Sequence, residues 1–436
     1  VDHEVVYASR LTKGVVLAVS SSLIAGAGHV AAACLGADSP SAGLLDRLAQ
    51  VADPRDPRGV RYRLATLLAI GVCAMSAAGH NSLTAIAEWV RRGEQWELAR
   101  LGCPFNPVTG RYRVPDERTL RDAYARVDSA ALTGAGYGHL AALARTAIPA
   151  VTPDGVGERE QRRAHRAAAT DRPRRAAIAV DGKCLRGAKR PDGSPVFILS
   201  AVRHTDAVTL AARQIAAKAN EIGEFAPLLD QIPDIDLTDT VITADAMHAQ
   251  RAHAVYLVRQ RHAHYLFTVK DNQPTLAAQL RRLPWKQVPV LHRQSSRGHG
   301  RAEIREVQVV TVDDLLFPHA RQVVRIRRRR RALDTKKWTT EVVYAITDLP
   351  THQARPAEIA VWAREHWTIE NSVHWIRDVT FGEDASQVRA RNTPAVMAAL
   401  RDIIRSTFRL TGWVNTASAR RAHTIPAATL ALHGIP

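Results

Sequence analysis

Between residues 177 and 269, short apolar runs and helical stretches follow one another in the order β-β-β-α-β-α-β, and a further helical stretch follows to residue 282. The strand-like runs are Ala177–Val180, Val196–Val202, Thr209–Arg213, Thr240–Ala244 and His264–Val269. Helical patterns cover Phe225–Gln231, Gln250–Arg261 and Pro274–Arg282. Strands joined by short turns pair antiparallel, whereas strands joined by helical crossovers can pair in parallel. The stretch therefore predicts a mixed sheet whose first three strands are antiparallel. Two runs, Ile178-Ala-Val-Asp-Gly and Val241-Ile-Thr-Ala-Asp, end on an aspartate. Gly182, just after Asp181, lets the backbone turn tightly beside a ligand. A strand-end aspartate is commonly a turn former. Two of them, Asp181 and Asp245, in one sheet point instead to a shared site.

A third acid lies on the helix expected from Pro356 to Trp375. Trp362, Ile369, Val373 and Ile376 make its apolar stripe, and His366, Glu370, His374 and Arg377 share the adjoining sector. Glu370 falls at the edge between core and solvent, and Glu365 points well away from it. Two strand-end aspartates and a helix glutamate suit hard divalent cations, which take oxygen ligands. His366, Glu370 and His374 could instead hold zinc. Nothing nearby would then act as general base, and the aspartates would have no role. The chain carries 60 Lys+Arg against 42 Asp+Glu, a net charge of +18, so a phosphodiester is the natural substrate. An anionic membrane fits less well. No long amphipathic basic helix stands out, and no uninterrupted apolar run is long enough to span a bilayer.

The 436 residues, 46% hydrophobic, allow two or three domains and a large core. Residues 1–40 form an N-terminal segment in which Arg10 and Lys13 precede the apolar stretch Val15–Leu35. Ser20-Ser-Ser22, Gly26, Gly28 and His29 interrupt that stretch, which favours a cytosolic segment over a secretory signal. Residues 41–150 read as an all-helical module with patterns over Leu44–Val51, Tyr62–Ala78, Leu83–Arg92, Glu117–Val127 and Ala130–Ala147. Residues 151–176, rich in Arg, Ala, Pro and Gly, read as a basic flexible linker. The core then falls into a first part at 177–280, a β-rich stretch at 281–350 and a second part at 351–415 carrying the Glu370 helix. Residues 416–436 are a tail. Cys34, Cys73, Cys103 and Cys184 suggest neither a disulfide framework nor a zinc knuckle, as in a protein of a reducing cytoplasm.

Several basic and polar residues are candidate DNA contacts. Lys183 and Arg186 follow the first aspartate, and His248 stands three residues after the second. Lys270 and Asn272 follow a strand at the same sheet edge. His299, Arg301 and Arg305 lie in the β-rich stretch. Arg328 and Arg329 sit in the run Arg327–Arg331, an electrostatic footprint for phosphate. His366, His374 and Arg377 flank Glu370. For each the plainer reading is a solvated face or a packed side chain.

The strings VDGK-x-LRG (180–187), TADAMHAQ (243–250), VKDNQPTL (269–276), HGRAEIR (299–305) and HW-x-IEN-x-x-HW-x-x-DV-x-FGEDAS (366–386) resemble DDE insertion-sequence transposases, among them the H-repeat-associated group. DPRDPRG (53–59) and AIAEW (85–89) resemble the associated N-terminal domain, so the likeness spans roughly residues 41–410. It implies an α/β fold: an RNase H-like mixed sheet with flanking helices, a β-rich insertion before the Glu helix and an N-terminal all-helical DNA-binding domain. It implies that Asp181, Asp245 and Glu370 are an acidic triad holding two Mg2+ ions, with Mn2+ as a substitute. It also implies cleavage of DNA at element ends, strand transfer into target DNA, a homodimer or higher assembly, and a place in the cytoplasm with the nucleoid. Related transposases often carry a Tyr…Arg…Glu…Lys signature, where this chain has Ala363, His366, Glu370 and Arg377. Two alternatives stay open: a domesticated or inactive relative that only binds DNA, and an RNase H-like nuclease without strand transfer.

Overall fold

The computed structural model describes residues 43–146, 174–190, 192–217, 220–298, 300–313 and 315–435. The expected N-terminal segment, nearly all of the expected linker, and His299 lie outside the described residues. Contacts divide the chain into two units. One comprises Val1–Val151, Gly187–Asp192 and Arg377–Pro436, and the other Thr152–Arg186 and Gly193–Ile376.

The first unit is built mainly of helices. Helix α1 (Leu64–Ser76) is buried along its whole length, as a helix apolar on every side must be. Tyr124 packs against it and donates its hydroxyl to the carbonyl of Leu67 at 2.7 Å. A Cβ on Gly71 would stand 2.3 Å from that hydroxyl, so glycine is what permits the approach. The next helix, Leu83–Arg91, is capped by Ser82, whose Oγ accepts the Ala85 N–H at 3.2 Å. Helix α2 (Ser129–Thr146) and α1 both pack on the long helix Thr393–Leu410. The all-helical expectation needs one correction, a two-stranded antiparallel ribbon of Phe105–Asn106 and Arg111–Tyr112. Asn106 accepts the Val108 N–H and Gly110 takes a positive φ of 64°, which closes that turn locally.

The second unit holds, among the described residues, a nine-stranded mixed sheet. Its strands are β1 (Ala177–Lys189), β2 (Pro195–Arg203), β3 (Thr209–Ile215), β4 (Val241–Ala244), β5 (His264–Val269), β6 (His292–Gly298), β7 (Arg301–Thr311), β8 (Gln322–Ala332) and β9 (Thr339–Thr347). They lie in the order β3-β2-β1-β4-β5-β9-β8-β7-β6. The pairs β1–β4 and β4–β5 are parallel, and β2–β3 and every pair from β5 to β6 are antiparallel. Residues 177–180 and 241–244 are buried without alternation, which fits parallel strands covered on both faces. The β-rich stretch extends the same sheet, because Tyr344–Thr347 of β9 pair with Val269–Leu266 of β5.

Helices cover this sheet. They include α3 (Glu221–Leu229) and α4 (Pro356–Glu365). Ile359 and Trp362 of α4 are buried in one cluster with Ala177, Val241, Leu266, Val307, Val324 and Ala345, so α4 spans both the parallel centre and the antiparallel extension. One sequence expectation shifts. Asp181 lies within β1 rather than at its end, because β1 also neighbours β2 and runs on after its pairing with β4 stops. The arginine run Arg327–Arg331 lies inside β8, in register with β7 and β9.

Candidate active site

The pairing of β1 with β4 ends at Val180 opposite Ala244. Strands in parallel keep the same offset, so the next residues, Asp181 and Asp245, leave the paired region at the same edge. Past Asp245 the chain makes a short 3-10 turn, Ala246–His248, which the Asp245 side chain caps by accepting the Met247 N–H at 3.0 Å. Asn272 steadies that turn, donating its side-chain amide to the Ala246 carbonyl at 2.6 Å.

Glu370 comes from the opposite layer. Ile369 and Val373 beside it are fully buried against Ala179 of β1, Val202 and Ala207. Each such side chain contributes about 1.5–3 kcal/mol on burial. Ala179 is two residues before Asp181, so this contact lays the Glu370 segment along the strand that carries the first aspartate. The backbone from Glu370 to His374, and again from Ile376 to Thr380, is π-helical, a wide turn that recurs at functional sites.

The electrostatics reflect this gathering of acids. Burial is the largest cause pushing the Asp181 carboxyl up to about 7; the charges of Asp245, Glu370 and Glu221 add to it, and the Gly182 N–H opposes it. Burial also raises the Glu370 carboxyl above the usual range. His374 places Nδ1 3.7 Å from Oδ2 of Asp181. Among the described residues, the side chains as they stand do not close a group of three or more His, Cys, Asp or Glu around a metal position. The donor set nonetheless fits a hard cation: its acids offer only oxygen, and their mutual repulsion is what a divalent ion relieves.

Glu221, four residues before the helical pattern of Phe225–Gln231, is not among the candidates the sequence offers. It is buried at the start of α3, and its carboxyl fills the space a Cβ on Gly182 would need, at 2.2 Å. Its Oε2 stands 4.0 Å from Nε2 of His248. The signal was an acid directly before a strongly apolar helix.

The candidate DNA contacts scatter more widely. Arg186, Lys270, Asn272 and Arg301 are exposed, and Lys183 is buried. His248 is fully buried beside Phe225 and His253, and burial holds it down to about 4. Arg305 and Arg328 both pair with Glu303. Arg329 lays its guanidinium over Trp338 at 5.1 Å. His366 is half-buried, with Nδ1 3.0 Å from Oγ1 of Thr243. Arg377 departs most from expectation. It is fully buried, held by Glu383 at 2.8 Å and Asp402 at 3.4 Å, and so has no surface to offer a phosphate. The π turns over Glu370–His374 and Ile376–Thr380 alter the rotation per residue that an α-helical sector assumes.

Comparisons with known proteins give the chain's family and relatives. A family model described as "Transposase DDE domain" matches residues 172–404, and one described as "DDE_Tnp_1-associated" matches residues 45–139. "Putative transposase YncI" of Escherichia coli O157:H7 is 26% identical over 376 residues, covering 82% of this chain and 85% of that protein. "Putative protein YbfL" and "H repeat-associated putative transposase YhhI" of Escherichia coli K12 are 29% and 28% identical over 243 residues, covering 52% of this chain and 62% of each relative.

Proposed function

The chain belongs to the Transposase DDE domain family, and from that premise we propose that it cuts DNA at the ends of an insertion sequence and joins the freed strand to target DNA. The observation that carries the reading furthest is the register of Val180 with Ala244, which leaves Asp181 and Asp245 at one edge of the sheet. The packing of Ile369 and Val373 on Ala179 supports adding Glu370. In this reading the parallel strands and their neighbours are an RNase H-like core, and Asp181, Asp245 and Glu370 are its acidic triad.

The triad would hold Mg2+, or Mn2+ in its place. Bound there, such ions would supply positive charge at the scissile phosphate and would acidify the attacking hydroxyl. The protein's own part is to bind and orient. Asp181 offers its carboxyl oxygens, with His374 Nδ1 3.7 Å away. Asp245 is held by its own turn, and Asn272 buttresses that turn. Glu370 closes the set from the helical layer. Arg186, Lys270 and Arg301, all exposed, meet phosphates along the DNA. The N-terminal part, which the associated family model matches over residues 45–139, binds DNA as well, and a homodimer or larger assembly brings two element ends together on the nucleoid. No described helix is long and apolar enough to cross a membrane.

The test is a product assay with duplex DNA carrying the element ends, a supercoiled target and Mg2+. The reading expects cuts that leave 3′-hydroxyl ends, followed by joined product. Cuts without joining would make the protein a nuclease, and binding without cuts an inactive relative. A protein that neither binds nor cuts this DNA would overturn the reading altogether.

A further inference from the structure

Beneath the acidic edge, the Thr243 hydroxyl is hydrogen-bonded to two imidazoles from separate elements, and a carboxylate stands beyond one of them. Thr243, two residues before Asp245 on β4, is buried. Its Oγ1 lies 3.0 Å from Nε2 of His204 and 3.0 Å from Nδ1 of His366. His204 follows β2, and its Nδ1 stands 3.8 Å from Oε2 of Glu365 at the end of α4. Glu365 in turn pairs with Arg174 at 3.0 Å. His366 opens the turn that leads from α4 to Glu370.

Counting protons gives these bonds a direction. A neutral imidazole donates through one nitrogen and accepts through the other, and a hydroxyl donates one proton. Burial depresses His204 and takes His366 down to about 4, so both rings are neutral near pH 7. The carboxylate of Glu365 can only accept, which favours the His204 proton on Nδ1. Nε2 of His204 then accepts from the Thr243 hydroxyl, and Oγ1 accepts from Nδ1–H of His366. The competing acceptor for the Thr243 proton is the Ile178 carbonyl, at a longer 3.4 Å. Donation there would force the His204 proton onto Nε2 and leave a lone pair of Nδ1 facing the carboxylate.

We propose that Thr243 and His366 are positioning residues: the Thr243 hydroxyl fixes the His366 ring as its Nδ1–H form and pins the start of the Glu370 segment to the strand that carries Asp245. The spacing of Asp245 and Glu370 is then set by a hydrogen bond as well as by apolar packing. This gives His366 a role other than DNA contact. It rests on the proposed triad, through which these residues act.

The test compares Thr243→Val, which keeps the shape and removes the hydroxyl, with Thr243→Ser, which keeps the hydroxyl. Thr243→Val should lower the Mg2+-dependent cleavage rate about 10–100-fold, as loss of an outer-shell partner does, with DNA affinity unchanged. Thr243→Ser should stay close to the parent. Equal activity of Thr243→Val and the parent, or equal loss in both variants, would overturn the proposal. So would a weakened DNA affinity in place of a lowered rate. Imidazole nitrogen NMR of the full chain, labelled at histidine and free of metal, reads the ring directly. It should find the Nδ1–H form for His366 and for His204, and an Nε2–H form for His366 would refute the relay. That spectrum decides the matter even if Thr243→Val fails to fold. If the parent does not cleave DNA at all, the proposed function fails while the spectrum still judges the relay.

Discussion

The carboxyl of Glu221 occupies the space beside Gly182 that any larger residue's Cβ would need. Gly182 follows Asp181 directly, so the fit joins the first acid of the candidate triad to a fourth, buried acid. Gly to Ala inside a strand ordinarily favours folding. Here the added methyl would stand 2.2 Å from a carboxyl that is itself enclosed. Gly182→Ala should therefore destabilise the protein by about 1–3 kcal/mol, the usual cost of overpacking. Urea unfolding measures it, and an unchanged or raised midpoint would contradict the fit.

The Asp181 carboxyl is held up at about 7 against an ordinary 3.8, chiefly by burial. Across that interval the folded chain keeps a proton that the unfolded chain has released. Stability from this group therefore falls as pH rises through the interval, and it levels off above the upper value. Without metal, Asp181→Asn should melt higher than the parent at pH 8, and the gap should close toward pH 4. Melting curves in a chelating buffer check this. A variant that melts lower than the parent at pH 8 would count against a penalty for ionising Asp181 in its buried site.

Arg377, Glu383, Arg401 and Asp402 are all buried, and their charges answer one another within the first unit. Removing one member leaves charge stranded away from water. Arg377→Ala should cost about 3–5 kcal/mol. In the fraction that stays folded, the salt dependence of DNA binding should not change. A variant as stable as the parent, with weaker and less salt-sensitive binding, would restore Arg377 to the DNA surface.

The arginines of β8 alternate between faces of the sheet. Arg328 and Arg330 are answered by Glu303 and Glu341. Arg329 and Arg331 share the other face and both lie over Trp338, at 5.1 and 5.4 Å. If β8 meets DNA, the pair over Trp338 should carry the contact. Arg329→Ala and Arg331→Ala should each reduce the slope of log affinity against log salt by about 0.9, and Arg328→Ala by less. Equal slopes for the three variants would remove the distinction.

The sequence made some of this legible because periodicity is local. Pro274–Arg282 has the bounds its pattern suggests, and the helix expected over Leu83–Arg92 runs from Leu83 to Arg91. The mixed sheet followed from the order of its strands, and the adjacency of Asp181 and Asp245 from two similar strand ends. Other features depend on partners distant in sequence. β1 outruns its apolar residues because of its neighbours in the sheet. The arginine run stays extended because Glu303, Glu306 and Glu341 face it. Arg377 is drawn inward by Asp402, 25 residues later, and the π turns that permit this have no periodic signature. Glu221, Thr243 and His204 were invisible for the same reason: their partners lie on other elements.

Single-turnover nicking of end-containing DNA in Mg2+ decides whether Asp181, Asp245 and Glu370 act together on DNA. The parent should nick. Asp181→Asn, Asp245→Asn and Glu370→Gln should each lose most of that activity while binding the same DNA as the parent does. Full nicking by all three variants would contradict the account.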